Sequence, residues 1–122
     1  MNKENCFIIT GAPGSGKSAI LHQLIELGYL GIAEPARQIL AEQRCIRGSG
    51  IPDKNADLFI QLMLSRAIYG YRQIEETERL IFFDRGIPDN IAHAALYQIN
   101  FESGWNAAKH YRYNSLVFFT PN

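Results

Sequence analysis

The sequence has few cysteines, no long apolar run and no excess of charge of either sign. Cys6 and Cys45 are its only two cysteines, and their separation is not that of metal ligands, so we expect reduced thiols and a cytoplasmic protein. No apolar run approaches the roughly 20 residues of a membrane span, so we expect no membrane insertion. Twelve basic residues balance twelve acidic ones. Nucleic acid is therefore not an expected partner, because proteins that coat nucleic acids normally carry a basic excess.

What is present is the composition of an ordinary globular domain. Of 122 residues, 47% are apolar and 20% are charged, close to the average for soluble domains. No repeat, low-complexity tract or linker divides the chain, and its length is sufficient for a hydrophobic core. We therefore expect a single domain over residues 1–122.

Apolar runs that are typical of strands alternate along the chain with segments of helical periodicity. The predicted strands are residues 6–10, 29–34, 80–83 and 115–120. The predicted helices are residues 17–27, 35–45, 55–77, 88–96 and 105–111, and residues 47–53 are predicted to form a loop. Continuously apolar strands are typical of parallel sheets that are buried on both faces. The pattern predicts a three-layer α/β fold, with a parallel sheet of about four strands between layers of helices.

A phosphate-binding loop is the strongest motif. It fits G-x-x-x-x-G-K-[ST] at Gly11, Ala12, Pro13, Gly14, Ser15, Gly16, Lys17 and Ser18. The motif follows a predicted strand and begins a predicted helix, so backbone N–H groups and the helix N-terminus can surround phosphate oxygens. Lys17 is expected to reach the β- and γ-phosphates of a nucleotide, and the Ser18 hydroxyl to bind Mg²⁺.

Asp84 and Arg85 follow the third predicted strand, at the edge where ligands bind in open α/β sheets. The Asp84 carboxylate is expected to hold the hydration shell of Mg²⁺, with the cap of the next turn as its alternative. Arg85 is expected to stabilise transferring charge, with a surface salt bridge as its alternative. The sequence has no Asn-Lys-x-Asp motif for reading guanine, and Gly86 is too close to Asp84 for an Asp-x-x-Gly motif, so we do not expect a GTPase.

Three further residues are candidates for binding a substrate. Glu34 ends the second predicted strand and could accept a proton from a substrate hydroxyl, or it could form a local pair with Arg37. Arg37 is a candidate for the same substrate site. Asp89 is either a helix cap or a substrate ligand.

Four blocks of sequence occur here in an order typical of one family. They are GAPGSGKS at residues 11–18, EPAR at 34–37, FFDRGIPD at 82–89 and VFFTP at 117–121. In these blocks the chain resembles the NadR/Ttd14-type AAA-domain family of small P-loop ATPases. The resemblance implies binding of ATP and Mg²⁺, and a kinase-like strand order 2-3-1-4. It also implies that Glu34, Asp84 and Arg85 line an acceptor site, since similar relatives phosphorylate nucleosides or related small molecules.

Such domains continue past the fourth strand into an arginine-bearing lid and a fifth strand. Because this sequence ends at Asn122, we expect a C-terminally incomplete domain of low activity on its own. The last strand would leave an open sheet edge, which predicts either a homodimer or poor solubility.

The sequence leaves two functions open. In the first, ATP donates a phosphoryl group to a small hydroxyl-bearing acceptor, as in a nucleoside kinase. In the second, the protein is a regulatory ATPase or a nucleotide-dependent interaction module, with water as the acceptor and residues 47–53 as a partner-sensing loop.

Overall fold

Strands and helices alternate along the chain in the computed structural model, which describes residues 1–74 and 78–121. The strands are β1 (Asn2–Lys3), β2 (Cys6–Gly11), β3 (Leu30–Ile32), β4 (Ile81–Asp84), β5 (Arg112–Tyr113) and β6 (Val117–Thr120). The helices are α1 (Lys17–Glu26), α2 (Ala36–Ile46), α3 (Pro52–Gln73), α4 (Ile87–Leu96) and α5 (Glu102–His110).

The main sheet has four parallel strands in the order β3-β4-β2-β6. Counting only these four in sequence, the order is 2-3-1-4, and the predicted kinase-like order is confirmed. Strand β2 is central: Ile9 lies opposite Asp84 of β4 and Phe118 of β6. Because all four strands are parallel, their carboxyl ends meet at one edge of the sheet, and the phosphate-binding loop leaves from that edge.

Helices cover both faces of this sheet, which confirms the predicted three-layer α/β fold. Successive side chains of a strand point to opposite faces, and on one face Ile9 and Phe82 pack with Leu21 of α1. On the other face lie Cys6, Ile81 and Phe83. The largest group of buried side chains packs among the remaining helices and consists of Ile39, Phe59, Ile60, Met63, Leu64, Ile87, Ala94, Phe101 and Ala107.

Helix α3 differs from its predicted bounds at both ends. It begins at Pro52, inside the predicted 47–53 loop, because proline is tolerated in the first helical turn. Asn55 then has non-helical φ and ψ of −153° and 86°, and its Oδ1 accepts a hydrogen bond from Leu58 N at 3.0 Å. The predicted start at residue 55 is therefore an internal kink. Residues 75–77 of the predicted helix lie outside the described residues.

A second, two-stranded parallel sheet was not expected from the sequence. It pairs Asn2 of β1 with Arg112 of β5, and strands of two residues are too short to show periodicity. The Lys3 ammonium fixes β1 to the end of α3 by donating to Tyr71 O and Ile74 O at 2.9 and 3.0 Å. In the described part of the chain neither α3, at 22 residues, nor a shorter helix is apolar enough to cross a membrane.

Candidate functional site

The phosphate-binding loop connects the end of β2 to the first turn of α1. Gly14 and Gly16 have φ of 79° and 96°, in the left-handed region that glycine adopts without strain. Gly16 is the N-cap of α1, and glycine has no side chain with which to cap this helix end. The first N–H groups of α1 therefore remain available to an anion, and the positive end of the helix favours one.

Gly11 is required at the start of the loop because β6 lies against it. A Cβ at this position would be 2.5 Å from Thr120 O, closer than non-bonded atoms approach. The Ser15 hydroxyl contacts Thr120 Oγ1 at 2.6 Å, and Thr120 in turn donates to Thr10 O at 3.1 Å. Thr120 thus fixes the loop to the sheet. Sequence reasoning missed this role, and its only signal was a polar residue at the end of an apolar strand.

Lys17 lies beneath the loop and is only 6% exposed. Its Nζ donates to Ala12 O at 3.1 Å, its one hydrogen-bond acceptor among the residues that the structure describes. An ammonium offers three donors, so two remain for a ligand. The lysine is therefore already desolvated and positioned at the loop before a phosphate arrives.

Ser18 and Asp84 lie together beside Lys17. The Ser18 hydroxyl donates to Asp84 Oδ2 at 3.5 Å. Asp84 is 5% exposed, and its buried Oδ1 has no hydrogen-bond partner among the described residues. Burial raises the pKa of the Asp84 carboxyl, against the opposite effects of Lys17 and Arg85.

A buried, unpartnered carboxylate oxygen beside a hydroxyl fits Mg²⁺. This ion is commonly held through one or two carboxylates together with substrate phosphates, rather than by a full set of protein ligands. Over residues 1–74 and 78–121, no group of three or more His, Cys, Asp or Glu residues could hold a metal by itself. Ser18 and Asp84 are therefore the residues that would hold Mg²⁺ next to a bound nucleotide.

Glu34 and Arg85 face each other across the carboxyl edge of the sheet. Arg85 Nη1 lies 3.9 Å from Glu34 Oε1, and Arg85 Nη2 donates to Gly11 O at 3.1 Å. Arg85 has φ of 62°, in the left-handed region. Burial raises the pKa of the Glu34 carboxyl, and this effect exceeds the opposing one of Arg85. The structure therefore brings a carboxylate with a raised pKa to the phosphate-binding loop.

Asp89 occupies the cap position that the sequence offered as one of two alternatives. Its Oδ2 accepts a hydrogen bond from Gly86 N at 2.8 Å, which caps the first turn of α4. Its Oδ1 accepts a hydrogen bond from the Thr10 hydroxyl. With both oxygens engaged, Asp89 joins α4 to the end of β2.

One cavity of about 530 Å³ lies at this site, and we call it the phosphate cavity. The charged and polar residues that line it include Lys17, Ser18, Glu34, Arg37, Asp84, Arg85 and His93. His93 was assigned no site role from the sequence, although it lies one helical turn after Asp89. Burial, together with Arg85, lowers the pKa of His93, which favours the neutral form of its ring.

A family model described as an AAA domain matches residues 6–122. The chain belongs to this AAA-domain family. The match begins with β2 and includes the phosphate-binding loop, Glu34 and Asp84, so the chain has a nucleotide-binding P-loop NTPase domain. Proteins of this class generally bind ATP with Mg²⁺. No curated protein matches the chain.

Proposed function

We propose that this AAA-domain protein transfers the γ-phosphoryl group of ATP to the hydroxyl of a small acceptor, with Mg²⁺ as cofactor. One observation carries the proposal: Glu34, a carboxylate whose pKa is raised by burial, borders the same cavity as Lys17 and Asp84. ATP hydrolysis needs an oriented water, whereas transfer to an alcohol benefits from a base within reach of its proton.

The residues divide the work of phosphoryl transfer among them. Backbone N–H groups of the loop and Lys17 bind the phosphates, and Ser18 and Asp84 hold the cation. Bound Mg²⁺ neutralises charge on the phosphate oxygens. Glu34 accepts the proton of the acceptor hydroxyl. The hydroxyl oxygen forms a bond to the γ-phosphorus as the bond between that phosphorus and the departing ADP breaks. Arg85 holds Glu34 in place and adds positive charge beside the transferred group.

The narrower resemblance to NadR/Ttd14-type relatives is part of this proposal. The EPAR and FFDRGIPD blocks support it, and one residue of each, Glu34 and Arg85, lines the phosphate cavity. We further propose a nucleoside-like acceptor, a cytoplasmic location and self-association through β6. Strand β6 is an edge of the main sheet, and its Phe119 is 70% exposed.

A second candidate function is a regulatory ATPase that uses water as its acceptor. Asp89 favours it, because this residue, which the sequence offered as either a cap or a substrate ligand, accepts structural hydrogen bonds at both of its oxygens. In that case Glu34 and Arg85 would orient a water molecule rather than a substrate hydroxyl.

Substitution of Glu34 distinguishes the two functions. ADP formation is measured with ATP and Mg²⁺ alone, and again with each member of a panel of nucleosides and simpler alcohols. We expect at least one acceptor to stimulate turnover, and Glu34→Gln to lower the ratio of transfer to hydrolysis by about 10²- to 10⁴-fold. Glu102→Gln, at an exposed position of α5, is the matched control. If no acceptor stimulates the wild-type protein, or if the ratio survives Glu34→Gln, the transferase proposal is wrong.

A further inference from the structure

A second cavity, of about 430 Å³, adjoins the phosphate cavity. The two cavities share Glu34 and Arg85 in their walls. The second is bounded by residues of both sheets, by the start of α2 and by one side of α3, and we call it the α3 cavity. Its aromatic and apolar walls include Ile32, Phe83, Tyr113, Ala67, Tyr69 and Gly70. Any ligand in the α3 cavity therefore lies directly beside the proposed base.

Gly70 is the residue of this wall that the fold does not explain. It lies inside α3, where glycine is less favourable than alanine. A Cβ at this position would meet only Ile32 Cγ2, at 3.8 Å, which is an ordinary contact distance. At Gly86, by contrast, a Cβ would lie 2.6 Å from Ile8 Cδ1. Neither backbone geometry nor packing thus calls for glycine at position 70, and its effect is to keep space open in the α3 cavity.

The remaining wall shows which chemistry the α3 cavity suits. Arg66 donates to Gln38 Oε1 at 3.1 Å and forms an ion pair with Glu42, so its charge is already compensated by neighbouring side chains. Phe83 and Tyr113 meet edge to face, with ring centroids 5.2 Å apart. Aromatic walls with a few polar groups at the rim are typical of pockets for flat, uncharged rings.

We infer that the α3 cavity binds an uncharged ring of the acceptor, and that Gly70 limits the size of the ring that fits. The hydroxyl of the same molecule would then reach Glu34 where the two cavities meet. The inference rests on the proposed transferase function and deepens it, by naming the cavity that holds the ring and a residue that determines specificity.

The test enlarges the side chain at position 70. Adenosine and uridine serve as ring-bearing probes and ribose as the ring-free probe. Binding of each is measured by calorimetry, and transfer is measured with ATP and Mg²⁺. We expect Gly70→Leu to weaken binding of the ring-bearing probes at least ten-fold, and to raise the ratio of their KM to the KM for ATP by a similar factor. Ser65→Leu adds the same side chain at an exposed position of α3 and should change neither quantity.

Gly70→Ala separates a filled cavity from a damaged fold. Alanine is favourable in a helix and has room here, so the melting temperature should rise by about 2–5 °C while binding of the ring-bearing probes weakens less than with leucine.

If wild-type protein transfers phosphate to a probe and Gly70→Leu leaves its KM and affinity within two-fold, the inference is wrong and the proposed function stands. If no probe is phosphorylated but adenosine or uridine binds and Gly70→Leu removes that binding, the transferase proposal fails and the binding site stands. If neither nucleoside binds to the wild-type protein, the ring-binding inference is wrong.

Discussion

Replacing Lys17 with alanine should remove most of the affinity for ATP without unfolding the protein. The Lys17 ammonium donates one hydrogen bond, to Ala12 O, which leaves two donors for phosphate oxygens. Hydrogen bonds to charged groups contribute about 1.5–3 kcal/mol each. Two of them amount to about 3–6 kcal/mol, which corresponds to an affinity loss of roughly 10²- to 10⁴-fold.

The expected effect of Lys17→Ala on stability is much smaller, because two consequences oppose each other. The variant removes a charge that is only 6% exposed, which relieves the cost of its desolvation. It also deprives Asp84 of a cation that lowers its pKa. Calorimetric titration with a non-hydrolysable ATP analogue measures the affinity, and thermal melting without nucleotide measures the stability. Lys54→Ala, at an exposed position of α3, is the control. An unchanged ATP affinity in Lys17→Ala would refute the assignment of the phosphate-binding loop.

Three other substitutions or conditions test the site. Asp84→Asn should abolish Mg²⁺-dependent turnover. It should also raise the melting temperature of the nucleotide-free protein in EDTA, because burial raises the pKa of Asp84 and makes its charged form unfavourable at neutral pH. A lower melting temperature would contradict this expectation. Burial also raises the pKa of Glu34. The rate of phosphoryl transfer should therefore decline as the pH falls through a value above the ordinary glutamate pKa of about 4.3. A pH–rate profile without that acidic limb would count against Glu34 as the base. Gly11→Ala should lower the free energy of unfolding by about 2–5 kcal/mol, through contact with Thr120 and a φ of 149°; an unchanged urea midpoint would show that the loop relaxes instead.

The sequence predicted the sheet well because its strands are continuously apolar. Strands β2 and β4 are covered by helices on both faces. Their sequences are therefore apolar throughout, without the alternation of polar and apolar residues that is typical of a strand with one exposed face. The strand order came from the family resemblance rather than from periodicity. The pairing of β1 with β5 could not be predicted, since it depends on the Lys3 contacts to the end of α3.

The candidate site was predictable only where local sequence determines geometry. The phosphate-binding loop is contiguous, and its glycines and lysine reveal it directly. The contact between Gly11 and Thr120 joins residues at opposite ends of the chain and needs the assembled sheet. For Asp89, the sequence offered both a cap and a ligand, and only the positions of Gly86 N and the Thr10 hydroxyl showed which bonds form.

The backbone of Arg85 has an implication for how this protein would change over generations. Its φ of 62° is one that glycine adopts freely, whereas other L-residues incur about 1–2 kcal/mol there. The backbone alone would therefore favour glycine at position 85, and the contacts of the guanidinium with Gly11 O and Glu34 oppose that replacement. Arginine should therefore persist at position 85 only as long as these contacts contribute more than the strained backbone costs.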